Sequence, residues 1–256
     1  MSILDSIQSG KDNRPPRIMI YGSEGVGKST FAASAPNPIF IQTEDGLGEI
    51  DCRKFPLAHK VADVITALTS LRDEPHDFQT VVIDSIDWLE RLIFEKICSE
   101  YGVSSIEKAD GGYGKGYTQA LTEWRKIINL LQELRDKRGM TIILIAHTAV
   151  EHFDDPENPA YDRYTPRLHK KAAHFIVEWA DAVFFANKRF RVSKENDRSI
   201  ASPIGANGGD RVMRTISSPA CVAKNRYGLP QELPLSWQAF VDAYATASGG
   251  EKCPKE

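Results

Sequence analysis

No apolar stretch in the 256-residue chain reaches the ~18 residues that a helical membrane span requires. The opening residues, MSILDSIQSGKDN, lack a basic flank followed by a long apolar run, so the expectation is a cytoplasmic protein without a membrane partner. Cysteine is sparse: Cys52, Cys98, Cys221 and Cys253 lie far apart with no CxxC pair, which argues against a disulfide framework and against a zinc site. With 18 Gly and 14 Pro the chain is no low-complexity polymer, and no Pro-, Gly- or Ser-rich linker divides it. Nor does one charge dominate. Against 35 acidic residues stand 32 basic ones, a net charge of −3, which excludes a surface that binds polyanions over its whole extent and leaves room for a local basic site. What remains, 41% hydrophobic and 26% charged, is an ordinary globular composition.

Four apolar runs read as strands: Arg17–Tyr21 (RIMIY), Pro38–Gln42 (PIFIQ), Thr80–Asp84 (TVVID) and Met140–Ala146 (MTIILIA). They lack period-two alternation, the mark of strands covered on both faces in a parallel sheet. Helical spacing fills Lys28–Ser34, Lys60–Arg72, Ile86–Tyr101 and Tyr117–Arg138; in the last, Leu121, Trp124, Ile128, Leu131 and Leu134 make one apolar stripe. The alternation predicts an α/β fold, a central mostly parallel sheet flanked by helices. After Asp181 the pieces shorten to DAVFFANKRFRV, DRVMRTISS and ACVAKNRYG, predicting antiparallel edge strands near the C-terminus and a closing helix over Trp237–Thr246. One core over residues 17–247 is expected. A segment 1–16 precedes it, whose Ile3, Leu4 and Ile7 have a helical spacing that suits docking on a neighbouring protomer and equally a frayed end, and a flexible tail 248–256 follows.

The sharpest motif is Gly22-Ser23-Glu24-Gly25-Val26-Gly27-Lys28-Ser29-Thr30, a full GxxxxGK[ST] match between a predicted strand and a predicted helix. Its glycines let backbone N–H groups turn around phosphate oxygens, Lys28 reaches the β- and γ-phosphates, and Ser29 offers a hydroxyl to Mg²⁺. Asp84, ending a buried strand, suits the carboxylate that holds the metal's water shell, and equally suits an N-cap of the next helix. ATP and Mg²⁺ are therefore expected. A GTPase is disfavoured: Asp84 is not followed by DxxG, and Asn187-Lys188-Arg189 continues with Phe190 where the guanine-reading Asp would stand. No Arg-rich lid points to a small-molecule kinase.

In order, GSEGVGKST, QTEDG, VVIDS, LIAHT and KNRYG span residues 18–228 and resemble RecA-like P-loop NTPases, most of all the compact bacteriophage ATPases that include the Sak-type single-strand annealing recombinases. The tract from Tyr164 to Lys171 and on through Glu178–Asp181 looks like that group too. The resemblance implies that Glu44 orients the attacking water, with Asp45 its competitor, and that His147 senses the γ-phosphate. Lys224-Asn225-Arg226-Tyr227-Gly228 is similar to the KNRFG motif of RadA and the Lys-x-Arg of DnaB-type helicases, whose cations reach a neighbour's ATP site; here Tyr227 replaces Phe. Two cations one residue apart on a strand point the same way, which suits a clamp on γ-phosphate charge.

Two loops contact single-stranded DNA in RecA-like proteins. Here they correspond to Asp110–Gly116, with Tyr113 and Lys115, and to Thr148–Arg167, with Arg163, Tyr164 and Arg167, followed by Lys170. Aromatics for stacking and cations for phosphates suit sequence-tolerant strand binding. The acids Glu151, Asp154, Asp155, Glu157 and Asp162 share the second loop, which keeps open mobile active-site loops that bind no nucleic acid. The resemblance implies a homo-oligomeric ring or filament with ATP at subunit junctions, acting on single-stranded DNA in annealing or strand exchange, with a single-strand DNA-binding protein as a further partner. The alternatives are a nucleotide-switched scaffold without DNA and a helicase-like motor.

Overall fold

The computed structural model describes residues 3–7, 9, 14–195, 198–204 and 209–248. In chain order the elements are β1 (Arg17–Gly22), α1 (Lys28–Ala33), β2 (Pro38–Gln42), β3 (Arg53–Lys54), α2 (Val61–Asp73), β4 (Thr80–Asp84), α3 (Ile86–Tyr101), α4 (Lys115–Arg138) and β5 (Thr141–Phe153). They continue with β6 (Tyr161–Pro166), α5 (Lys170–Trp179), β7 (Ala182–Lys188), β8 (Phe190–Glu195), β9 (Arg198–Pro203), β10 (Arg211–Arg214), β11 (Lys224–Asn225), β12 (Glu232–Pro234) and α6 (Trp237–Ala247). Among the described residues the main sheet runs β12-β10-β7-β1-β5-β4-β2-β3. From β7 to β3 every pairing is parallel; β10, β11 and β12 join antiparallel, the expected edge strands.

The continuous apolarity of the strands has a plain cause. Met19, Tyr21, Ile83 and Leu144 face one layer with α2, α3, α4 and α5, while their neighbours Ile18, Ile20, Val82 and Ile145 face another with Phe31 of α1 and Phe240 of α6. Both faces are dry, so no polar residue is tolerated at alternate positions. In α4 the expected stripe is buried at Trp124, Ile128, Leu131 and Leu134, joined by Ile127. No helix among the described residues is long and apolar enough to cross a membrane.

Three details differ from the sequence expectation. The segment Thr148–Arg167 is largely a hairpin, not a loop: β5 runs past the sheet to Phe153 and returns as β6. Polar partners face each other across it, the opposite charges of Glu151 and Arg163 and the hydrogen-bonded His152 and Asp162, and such cross-strand pairs hold the register. Helix α4 starts at Lys115, so Lys115 is helical, and Tyr113 stands just before it, fully exposed at φ 55°. Helix α5 is additional to the expected helices. The tail expected over 248–256 lies, beyond Ser248, outside the described residues, as do residues 1, 2, 8 and 10–13 of the first segment.

Parallel strands in one register bring their carboxyl ends to one edge. Gly22 pairs with His147, and Asp84 pairs with Gln42 on one side and Ile145 on the other. In open α/β sheets that edge is where ligands sit.

Candidate functional site

The loop between β1 and α1 turns through Gly25 at φ 67° and Gly27 at φ 109°, conformations that favour glycine. Lys28, which opens α1, is buried, and its Nζ donates to the carbonyls of Gly22 and Ser23, both at 2.9 Å. The Ser29 hydroxyl donates to Asp84 Oδ2 at 2.6 Å, joining the start of α1 to the tip of β4. A cavity of about 300 Å³ opens here, lined by the loop, Lys28, Ser29, Thr30, Glu44, Asp84, His147 and Arg211, with Leu47 and Ile50 as its apolar part. Burial pushes the Lys28 ammonium down, with Asp84 opposing. It pushes the Asp84 carboxyl up, against the bond from Ser29.

Glu44 follows the tip of β2. Thr43 beside it is tied to β4, its N–H to the Asp84 carbonyl at 2.8 Å and its hydroxyl to the Ser85 carbonyl at 2.6 Å. Glu44 lines the cavity, whereas Asp45 is exposed and does not. Burial raises the Glu44 carboxyl, and His147 opposes that shift. His147 Nε2 lies 3.7 Å from Glu44 Oε1, while its ring Nδ1 lies 3.0 Å from Asp87 Oδ2 and its main-chain N–H donates to Asp87 Oδ1 at 3.0 Å. Arg167 closes the chain, donating to Asp87 Oδ2 at 2.7 and 3.1 Å, and lies 3.6 Å from Glu24 of the phosphate loop. Burial alone would raise Asp87; the bonds from His147 and Arg167 outweigh it and hold the carboxyl well below the carboxylate range. Asp87 is the residue that motif reading missed. It stands three positions after Asp84, in the first turn of α3, and that spacing was the available signal.

Lys224 and Arg226 are not brought to this site. Strand β11 pairs with Ala182 and Val183, at the end of β7 where β1 begins, opposite to the phosphate loop. Lys224 Nζ donates to the carbonyls of Val177 and Glu178 at 2.8 and 2.7 Å, at the end of α5. Arg226 lies 3.4 Å from Asp181, a carboxylate that also takes Arg17 at 2.6 Å and Arg135 at 3.3 Å.

Of the residues singled out for DNA, Arg163, Arg167 and Lys170 line a second cavity of about 920 Å³, shared with Asp87, Glu90 and Tyr117. Each cation has a carboxylate of its own chain: Lys170 meets Glu151 at 2.8 Å, Arg163 meets Glu151 at 3.7 Å, and Arg167 holds Asp87. Tyr164 stacks on Phe185 at 4.9 Å, and Tyr113 and Lys115 lie outside this lining.

The donor set fits Mg²⁺. A hydroxyl and one buried carboxylate at hydrogen-bond distance are what a cation that keeps much of its water shell takes from a protein. No group of three or more His, Cys, Asp or Glu among the described residues forms a self-sufficient metal cage. Residues 14–227 match the model of the AAA domain family. A relative, the SPbeta prophage-derived uncharacterized protein YorG of Bacillus subtilis (strain 168), is 24% identical over 242 residues, covering 93% of this chain. The chain spans 64% of that relative's length.

Proposed function

The chain belongs to the AAA domain family of P-loop NTPases, and on that premise we propose that it is a Mg²⁺-dependent ATPase working in phage-type recombination, assembled into a ring or filament on single-stranded DNA. The observation that carries the ATPase reading is the convergence of Lys28, the bonded Ser29–Asp84 pair, Glu44 and His147 on one cavity. Lys28 and the loop N–H groups bind the phosphates; Ser29 and Asp84 would hold Mg²⁺, which when bound would neutralise phosphate charge. Glu44 takes the role of orienting water and receiving its proton, and His147, held by Asp87, keeps Glu44 in place. The prophage origin of the relative supports the phage setting.

The surplus of cations around Asp181 supports a shared site. Arg226, with half its side chain exposed, is the outermost of three arginines on one carboxylate, and turning towards a neighbour's nucleotide would cost it only long contacts, 3.4 Å to Asp181 and 3.5 Å to the Glu178 carbonyl. One observation favours a second reading, a nucleotide-switched scaffold without DNA: three of the four cations meant for DNA, Arg163, Arg167 and Lys170, are already paired. The test combines two variants with one ligand. Lys28→Ala is expected to lose ATP binding and hydrolysis, and Glu44→Gln to keep binding while turnover falls ~10²–10⁴-fold. Unchanged turnover in both would overturn the ATPase reading. Single-stranded DNA binding with ATP, by anisotropy, separates the recombination reading from the scaffold.

A further inference from the structure

Arg211 opens β10, far along the chain from the phosphate loop, yet its guanidinium lies over that loop. A Cβ placed on Gly27 would stand 3.0 Å from Arg211 Nη1 and 3.8 Å from its Cδ, and Arg211 lines the same cavity as Lys28, Ser29 and Thr30. Its backbone is fixed on two sides. Arg211 pairs with Lys188 of β7, and its carbonyl accepts the Leu235 N–H at 3.0 Å.

The side chain, by contrast, makes no hydrogen bond or ion pair with any described residue. Other arginines nearby are engaged: Arg189 and Arg214 share Glu232, and Arg167 holds Asp87. The carboxylates of the cavity are engaged as well, Asp84 by Ser29 and Glu44 by His147. An arginine presents five donors in a planar fork suited to phosphate oxygens. Here that fork is unspent and set against a loop whose glycines shape it for phosphates.

We infer that Arg211 is a phosphate-binding residue of the nucleotide site, acting within its own chain on the diphosphate that ATP and ADP share. This rests on the ATPase reading above. The hydrolytic end of the cavity is marked by Glu44, Asp84 and His147, whereas Arg211 contacts the Gly27 position, where the loop's N–H groups cradle the inner phosphates. Gly27 is doubly constrained, by its φ of 109° and by the guanidinium that occupies the space of a side chain. The role differs in kind from that of Lys224 and Arg226, which would serve a neighbour. Arg211 acts in an isolated protomer, so its contribution to affinity does not depend on protein concentration.

The test is calorimetric binding of ATP, ADP and inorganic tripolyphosphate to the parent protein, Arg211→Ala, Arg211→Gln and Lys28→Ala, at two protein concentrations. The alanine and glutamine variants are expected to bind all three ligands ~10-fold more weakly, by the same factor at both concentrations, as for loss of a charge-assisted bond. Either variant suffices if the other fails to fold. Parent-like affinities would overturn the inference. A loss for ATP and ADP with tripolyphosphate unaffected would also overturn it, since the contact would then be to base or ribose. If Lys28→Ala binds ATP as the parent does, the phosphate-loop reading itself fails, an outcome distinct from either.

Discussion

Replacing Asp87 by asparagine keeps the outline of the side chain and removes its charge. Asp87 accepts the His147 main-chain N–H and Nδ1, both at 3.0 Å, and two guanidinium bonds from Arg167 at 2.7 and 3.1 Å. Breaking a buried ion pair from one side costs several kcal/mol, but Arg167 is 39% exposed and can turn to water. The expected loss is therefore ~1–3 kcal/mol, a fall in Tm of roughly 2–10 °C for a chain of this size. The catalytic consequence is separate. His147 reaches Glu44 at 3.7 Å only while its ring is held by Asp87, and losing such a supporting bond lowers turnover by ~10–100-fold. Lys28 and Ser29 are untouched, so ATP affinity should change little. Phosphate release measured against ATP concentration reads kcat and KM, and thermal unfolding across pH reads stability. Because the Asp87 carboxyl is depressed in the fold, its stabilisation is complete above its ordinary value of about 4 and is lost only as pH falls further. The stability gap between parent and variant should be level from pH 5 to 8 and close below about pH 4. A variant that loses Tm while kcat stays within twofold of the parent would refute the positioning role.

Two further outcomes follow from the same geometry. Burial pushes the Glu90 carboxyl up to about 7, against the His169 N–H that one oxygen accepts at 2.8 Å and the nearby Trp124 side chain. A carboxyl raised in the fold erodes stability as pH climbs from about 4 to 7, so Glu90→Gln should be the more stable protein above pH 7 by up to ~3 kcal/mol. Urea unfolding at several pH values checks this, and a gap independent of pH would exclude it. Mixing Lys28→Ala with Arg226→Ala should restore part of the ATPase activity, since an inserted arginine is worth ~10³–10⁵ in rate. If the two variants co-assemble and the mixture stays inactive, the site is not shared.

Where a short stretch of sequence fixes local geometry, it could be read. The four sheet strands and the phosphate loop follow from apolar runs and a glycine pattern, and the meeting of Ser29 with Asp84 follows from β1 and β4 ending at one edge of the sheet on either side of β5. The hairpin of β5 and β6 was obscured because its acids and cations look like a polar loop until register sets Glu151 against Arg163. Arg211 could not be foreseen, since nothing local says that a strand some 180 residues after the loop folds back across it. Arg167 has a neighbour that its sequence context did not announce. Its charge and place after an aromatic tract suggested phosphates, while the fold gives it to Asp87.

That pairing constrains any strand of DNA on this face. A phosphodiester taken up by Lys170 or Arg163 displaces Glu151, an exchange between partly exposed partners that costs little. One taken up by Arg167 must displace Asp87, whose side chain is only 2% exposed and would be left buried with His147 as its remaining partner. The outer cations are therefore available to a polyanion at low cost, and Arg167 last. Asp87 also anchors the histidine that faces Glu44, so an anion that captures Arg167 changes the surroundings of the carboxylate proposed to orient water. Linkage ties affinities and not rates, so this coupling is read in turnover and not in nucleotide affinity. A strand that binds through Arg163 and Lys170 alone would leave the two sites independent.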